Sequence, residues 1–350
     1  MADAAAPGHA VRLEPSGHAF TVAPGETILE AALREGIGLP YGCRNGACGA
    51  CKGVLRSGEL EYGEYQDRAL HPSEKASGKA LTCCTRPLTD IVFEVREIGG
   101  AKDLAIRTLP CRVEKIEKPA SDVAILYLKL PTGERLQFLA GQYIDILLKE
   151  GKRRSFSLAN APHDDQFLQL HVRKTPGGAF SIYVFDQMKE RAILRFEGPL
   201  GTFFLREDTD KPIVFVAGGT GFAPIKAIIE HAFHHGLGRP MVLYWGARAR
   251  QDLYLADVPQ QWQREHPEFT FIPVLSEPKA ADEWLGRTGF VHQAVLDDFR
   301  DLSGYQVYAC GAPAMVEAAR QSFTQARNLP PEEFFADSFT YAAEAEARTT

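Results

Sequence analysis

The hydrophobic rhythm of the chain changes twice and divides it into three textures. From about residue 10 to 97 the apolar positions alternate in short runs. VRLEPSGHAFTV reads as two strands around the turn Pro15-Ser16-Gly17, and Thr27 stands where it would cap a helix through ILEAALREG, with Gly36 ending it. Residues 53–63 read as a strand and turn, and DIVFEV as a last strand. From about 107 to 208 alternating runs (CRVEKIEKP, DVAILYLKL, QYIDILL, RRSFSLA, FLQLHVRK, AILRFEGPLG) recur between turn signals, the pattern of an antiparallel barrel, with one helix near AFSIYVFDQM. After Lys211 buried strands alternate with helices: PIVFVAGG, PIKAIIEHAFHHG, PMVLYWGAR, FTFIPVLSE, VHQAVLDDF, YQVYACGA and AMVEAARQSFTQ. That order predicts a parallel sheet with ligands at the carboxyl ends of its strands. The expected boundaries are 10–97, a linker at 98–107 around Gly99-Gly100, then 108–208, 209–340 and a tail at 341–350.

Composition narrows the class without naming a chemistry. At about 150 residues per domain, 350 residues make two or three domains. A net charge of −6 gives no reason to expect nucleic acid. No run approaches the ~18 apolar residues of a membrane span, and MADAAAPGHA lacks the basic and apolar regions of a signal peptide. Seven unevenly placed cysteines do not form a secreted disulfide scaffold, which points to reduced thiols and the cytoplasm.

Three of those cysteines, Cys43, Cys48 and Cys51, follow a C-x4-C-x2-C spacing in YGCRNGACGACKG, and Cys83 and Cys84 follow later. Soft thiolates so spaced match a [2Fe–2S] arrangement, with the last ligand from a distant segment. Gly42, Gly46, Gly49 and Gly53 would let the loop turn with positive φ and bring N–H groups to sulfur. Buried packing cysteines or a zinc site are the alternatives, and zinc usually draws on two CxxC-like pairs. Glu59, Glu61, Glu64 and Asp67 follow as a solvated face or as a face that orients a basic redox partner.

Two further sets of residues suit nucleotide cofactors. Arg154-Ser155-Phe156-Ser157 supplies a fork for a pyrophosphate, a ring for a flat heterocycle and hydroxyls for a ring nitrogen. Gly178-Ala179-Phe180-Ser181 begins a helix, where free N–H groups favour phosphate oxygens. Gly218-Gly219-Thr220-Gly221-Phe222-Ala223-Pro224 lies at the first parallel strand end. Gly246-Ala247-Arg248 and Cys310-Gly311-Ala312-Pro313-Ala314-Met315 lie at two more.

These motifs carry family resemblances. Residues 26–52 resemble the motif of plant-type ferredoxins, which implies a β-grasp fold and Cys83, after Leu81-Thr82, as the fourth ligand, with Cys84 a packing thiol. RSFS and GAFS are similar to the RxYS and GxxS signatures of the ferredoxin–NADP reductase superfamily, Phe156 standing for the commoner Tyr. His171-Val172-Arg173 is similar to the segment bordering the flavin diphosphate there, or is plain strand. GGTGFAP and CGAPAM resemble that superfamily's nicotinamide motifs. The resemblance implies a six-stranded antiparallel flavin-binding β-barrel and a Rossmann-like α/β nicotinamide domain. It implies Ser157 against flavin N5, Cys310 seating the nicotinamide, and Phe339 covering the flavin face with Asp337 two residues earlier. It also implies FAD rather than FMN, because of the aromatic tail. Relatives using NADPH carry Ser-Arg where this chain has Ser276-Glu277, and a carboxylate repels a 2′-phosphate, so NADH is expected unless Arg248 and Arg250 compensate.

Residues 10–340 as a whole resemble ferredoxin-type NADH reductases. These include reductase components of aromatic-ring dioxygenases and soluble monooxygenases, and the reductases of CDP-deoxysugar synthesis. The resemblance implies a monomer passing electrons from NADH through FAD and the cluster to an oxygenase, monooxygenase or dehydratase component. The rivals are a stand-alone flavin or ferric reductase, and a ferredoxin-like carrier or sensor without enzyme activity.

Overall fold

The computed structural model describes residues 8–98 and 104–340 and divides into two compact units, Met1–Ala105 and Ile106–Thr350. Half of the expected linker, at 99–103, and the whole tail, at 341–350, lie outside the described residues.

The first unit is built on a mixed five-stranded sheet. In spatial order its strands are Ala19–Val22, His9–Glu14, Ile91–Glu94, Lys52–Ser57 and Lys79–Leu81. The last long strand enters the centre of the sheet, parallel to the first, with Val11 opposite Ile91 and Leu13 opposite Phe93. Alternation explains the register: Val11, Leu13, Ile91 and Phe93 are all buried on one face. Against this core packs the helix Ile28–Arg34, which presents Ile28, Leu29, Ala31 and Ala32. Thr27 begins it with a reciprocal cap: its Oγ accepts the Glu30 N–H at 3.2 Å while the Glu30 carboxylate accepts the Thr27 N–H at 2.8 Å. A short helix, Pro72–Ala76, and the antiparallel pair of Leu60–Tyr62 with Thr85–Pro87 have no counterpart in the hydrophobic pattern, since each is too short to show a period.

The second unit contains two sheets. One is antiparallel, with strands in the spatial order Arg153–Ser157, Tyr143–Leu147, Ile193–Leu200, Arg107–Ala120, Val123–Lys129 and Leu168–Arg173. The two end strands of this sheet meet at a single bridge, Leu158 to Leu170. The reason is local. The Ala159 N–H reaches the Gln169 carbonyl at 2.9 Å, but the Gln169 N–H is then taken by the Asn160 side chain at 2.8 Å, so a side chain ends the ladder.

The other sheet is wholly parallel, in the order Arg287–Thr288, Phe269–Leu275, Met241–Ala247, Ile213–Gly218, Gln306–Gly311 and Phe334–Ser338. Both faces are buried. Ile213, Phe215 and Ala217 join one core with Ile225 and Ile228, while Val214 and Val216 join another with Val295 and Val316. Successive strands proceed outward one way from Ile213–Gly218 and then, from Gln306–Gly311, the other way, which opens a crevice at the carboxyl ends of these two neighbours. The helix Asp257–Glu265 and the strand Phe334–Ser338 were not expected, the first because few of its residues are apolar.

Replacing Thr27 by Ala should lower the stability of the first unit by about 1 kcal/mol, read as a shift of its urea midpoint with an unchanged slope.

Candidate redox and nucleotide sites

The cysteine loop runs without regular structure from the end of the first helix to the strand Lys52–Ser57. Its turns need glycine at two places. Gly46 has φ +72° and a Cβ there would lie 2.7 Å from the Glu64 carbonyl oxygen and 2.8 Å from the Cys84 Sγ, and Gly49 has φ +75° beside the Ala69 backbone. Gly53 differs from expectation: its φ is ordinary, and it is needed because a Cβ would collide with the Phe93 ring at 2.3 Å.

The thiols fall into pairs. The Cys43 N–H donates to the Cys48 Sγ at 3.4 Å, and the Ala47 N–H to the Cys43 Sγ at 3.3 Å. Thr82 ties the distant segment down by donating its N–H to the Cys51 carbonyl at 3.0 Å, and Cys83 then lies with its Sγ 3.3 Å from that of Cys51. Cys84 flanks it at 3.4 Å, against Gly46. Among the described residues no three His, Cys, Asp or Glu side chains converge on one ion. Two pairs of soft donors fit a binuclear cluster, in which each iron takes two thiolates, better than a single tetrahedral ion. The hydrogen bond with Cys48 and the N–H groups of Asn45, Ala47 and Cys48 draw the Cys43 thiol down to about 6 against its burial. Cys48 and Cys51 are pushed well up by their sulfur partners and by burial. Glu59, Glu61, Glu64 and Asp67 are all exposed.

In the second unit, Arg153–Ser157 ends with Ser157 buried. Phe156 packs on Phe180 with ring centroids 5.2 Å apart, the Ser155 hydroxyl is held by Asp145 at 2.6 Å, and Arg154 is braced by the Arg153 carbonyl. Gly178 caps the helix Ala179–Asp186, and the Ser181 hydroxyl accepts the Thr175 N–H at 3.0 Å. Phe180 and Val172 belong to the apolar core, so only their backbone is free to meet a ligand.

Along Leu168–Arg173, Leu168, Leu170 and Val172 face that core, while His171 and Arg173 face the parallel sheet. Arg173 sits on Gly219, whose Cβ would lie 3.0 Å from its Nη1, and its Nε is 3.4 Å from Asp122. The Nδ1 of His171 is 2.8 Å from the Tyr254 hydroxyl. Burial and the Lys226 charge push the His171 imidazole down to about 3, so it is neutral. Buried Lys226 reaches the Ala159 carbonyl at 3.1 Å and Glu230 at 2.8 Å.

At the crevice the two strand ends touch through backbone alone. A Cβ on Gly221 would lie 2.0 Å from the Cys310 carbonyl oxygen, and one on Gly311 would lie 3.0 Å from the Gly218 Cα and 2.7 Å from the Met315 Cε. Gly219 has φ +55°, Thr220 completes the tight turn, and Pro224 lies buried in the first helical turn. Pro313 opens the helix after Cys310, and Gly246 lies against Val291. Cys310 is fully buried, and burial followed by the Asp337 charge raises its thiol far up, which leaves a protonated packing group rather than a nucleophile. Phe334–Ser338 pairs so that Asp337 is opposite Cys310, and the Phe339 N–H donates to the Gly311 carbonyl at 2.8 Å. Ser276 and Glu277 continue their ladder onto Ala247 and Arg248, with N–H to carbonyl distances of 2.9 and 2.8 Å. Glu277 is exposed, and Arg248 and Arg250 lean on Asp252 and Asp282.

The arrangement fits bound nucleotides: glycines line the cradle, with Met315 and Arg173 at its border, and the buried Nη2 of Arg173 lacks a hydrogen-bond partner. Trp245 and Tyr254, which brace this cradle, are not distinguishable in the sequence from ordinary core residues.

Three family models match in series: a 2Fe-2S iron-sulfur cluster binding domain over residues 11–88, an oxidoreductase FAD-binding domain over 110–205 and an oxidoreductase NAD-binding domain over 215–321. The chain is 44% identical over 329 residues to the CDP-6-deoxy-L-threo-D-glycero-4-hexulose-3-dehydrase reductase of Yersinia pseudotuberculosis, covering 94% of this chain and 98% of the relative. It is 36% identical over 333 residues to the terephthalate 1,2-dioxygenase reductase component 2 of a Comamonas species, covering 95% and 97%. The crystal structure of the Amycolatopsis cytochrome P450 reductase GcoB superposes with a TM-score of 0.78 at 36% identity, covering 95% of this chain and 99% of that one.

Gly221→Ala should destabilise the second unit by about 3 kcal/mol, while Gly238→Ala, which meets nothing within 4 Å, should be silent; differential scanning calorimetry of both variants checks this.

Proposed function

Because the chain belongs to the oxidoreductases that carry a [2Fe–2S] domain ahead of an FAD-binding and an NAD-binding domain, we propose that its electrons end on a separate protein, a deoxysugar dehydratase component. It is an NADH-dependent electron-transfer reductase. When bound, nicotinamide supplies a hydride, flavin divides the electron pair, and the cluster carries electrons singly. The observation that carries the choice of acceptor is the 44% identity to a dehydrase reductase across nearly both lengths, against 36% for a dioxygenase reductase component. An oxygenase component is the second reading, favoured by the likeness to a cytochrome P450 reductase.

The residues divide the work by position. Cys43, Cys48, Cys51 and Cys83 would hold the cluster, with Cys84 as a packing neighbour. Arg154 and the N–H groups at the start of Ala179–Asp186 would hold the flavin diphosphate. Ser157 would turn its hydroxyl to the flavin ring. The backbone at Gly218–Gly221 and Cys310–Gly311 would seat the nicotinamide where no side chain intrudes, and Phe339 would cover the flavin face until it arrives. Exposed Glu277 supports NADH over NADPH, since its carboxylate can accept from ribose hydroxyls and repels a 2′-phosphate. The mixed sheet, the curled antiparallel sheet and the parallel sheet support the β-grasp, flavin-barrel and Rossmann-like readings in turn. The reduced thiols support a cytoplasmic location, and no helix among the described residues is long and apolar enough to cross a membrane.

Cys48→Ser should keep ferricyanide reduction by NADH and lose cytochrome c reduction by more than about tenfold; retention of both activities would instead indicate a stand-alone flavin reductase. Glu277→Arg should shift the kcat/KM ratio toward NADPH by about tenfold, the equivalent of ~1.4 kcal/mol, in steady-state assays with the two nucleotides.

A further inference from the structure

His171 is an expensive residue to keep where it is. It is buried and neutral, its Nδ1 is 2.8 Å from the Tyr254 hydroxyl, and its Nε2 has no hydrogen-bond partner. A buried nitrogen left without a hydrogen-bond partner is destabilising, and a leucine in its place would avoid that cost.

What the contact joins explains its presence. His171 lies on the strand Leu168–Arg173 of the antiparallel sheet, next to the core residue Val172. Tyr254 belongs to the parallel-sheet half of the same unit and is buried there. Its ring stands edge-on to Trp245, with centroids 5.3 Å apart at 90°. Trp245 stacks on Phe222 at 4.0 Å and donates its Nε1–H to the Gly219 carbonyl at 3.0 Å. A continuous set of contacts therefore runs from the flavin-side strand through two rings to the glycine turn. Two residues along, on the same face of the strand, Arg173 rests on Gly219 directly.

We propose that the His171–Tyr254 hydrogen bond is a positioning contact, which fixes the height of the Gly218–Gly221 turn against the flavin-side strand and so sets the approach of nicotinamide to flavin. The inference rests on the reading of these two halves as flavin and nicotinamide sites. Hydride transfer needs the reacting atoms about 3–3.5 Å apart, and a displacement of about 1 Å can cost on the order of 100-fold. A rigid tie between the two halves is therefore worth the unsatisfied nitrogen. Neither residue touches the reacting atoms in this scheme; both act through Trp245 and Gly219.

The test uses the full-length holoprotein with Tyr254→Phe, which keeps the ring, His171→Leu, the double variant, and His171→Asn, whose side chain places a polar atom near the Nδ1 position. Without nicotinamide, hydrogen exchange of residues 216–224 should quicken by about tenfold in Tyr254→Phe and His171→Leu, and return toward wild type in His171→Asn. With NADH, rapid-mixing measurements should show the flavin-bleaching rate at saturation falling by about tenfold, with the NADH dissociation constant moving less than about threefold. The double variant should be no slower than either single one, because both remove the same contact. Wild-type bleaching in all variants overturns the proposal, as does slow bleaching with unchanged exchange in 216–224, or additive losses. If His171→Leu fails to retain flavin, Tyr254→Phe decides by the same criteria. Failure of the functional reading itself is separately visible, since wild-type protein would then not bleach with NADH at all.

Discussion

The arrangement of the second unit depends on two backbone segments meeting with nothing between them. At the carboxyl ends of Ile213–Gly218 and Gln306–Gly311, Gly221 abuts the Cys310 carbonyl and Gly311 abuts Gly218. A side chain at Gly221 or Gly311 would part the strands, and the crevice formed by the reversal of strand order would lose its floor. Much else is set by this contact. The final strand docks beside Gln306–Gly311 and brings Phe339 to the Gly311 carbonyl. Gly219, held by Trp245 and covered by Arg173, lies at its rim.

Around this floor the polar groups are few and buried, so each acts strongly. Lys226 and His171 both lie where the two halves of the unit adjoin, and in a medium of low polarity their hydrogen bonds hold firmly because water does not compete for them. Cys310, by contrast, has been made inert by the same burial. A protonated thiol there adds no competing chemistry to the crevice.

The cysteine loop obeys a different economy. It has little core of its own and is held in place by backbone: positive φ at Gly46 and Gly49, the Thr82 bond to Cys51, and N–H groups aimed at Cys43 and Cys48. Iron takes thiolates rather than thiols, so loading such a loop releases protons and adds the binding energy to folding. The N–H groups already directed at sulfur favour the charged form that the metal requires.

Much of this was legible in the amino-acid order, because local chemistry leaves local marks. The C-x4-C-x2-C spacing, the Thr27–Glu30 cap, the glycine turn at 218–221, and the change from alternating to strand-helix rhythm each depend on residues a few positions apart. What depended on tertiary structure was every contact between distant segments. Gly53 resembles a turn glycine in sequence, and only the Phe93 ring beside it shows that it is there to make room. The antiparallel strands alternate as a barrel's would, but that rhythm does not tell that Asn160, nine residues from Gln169, takes the Gln169 N–H with its side chain and shortens the ladder between the end strands. Tyr254 and His171 lie 83 residues apart. Neither carries a local sign of the other, because a hydrogen bond across two folded halves is specified by where their backbones arrive, and no periodicity along the chain encodes that.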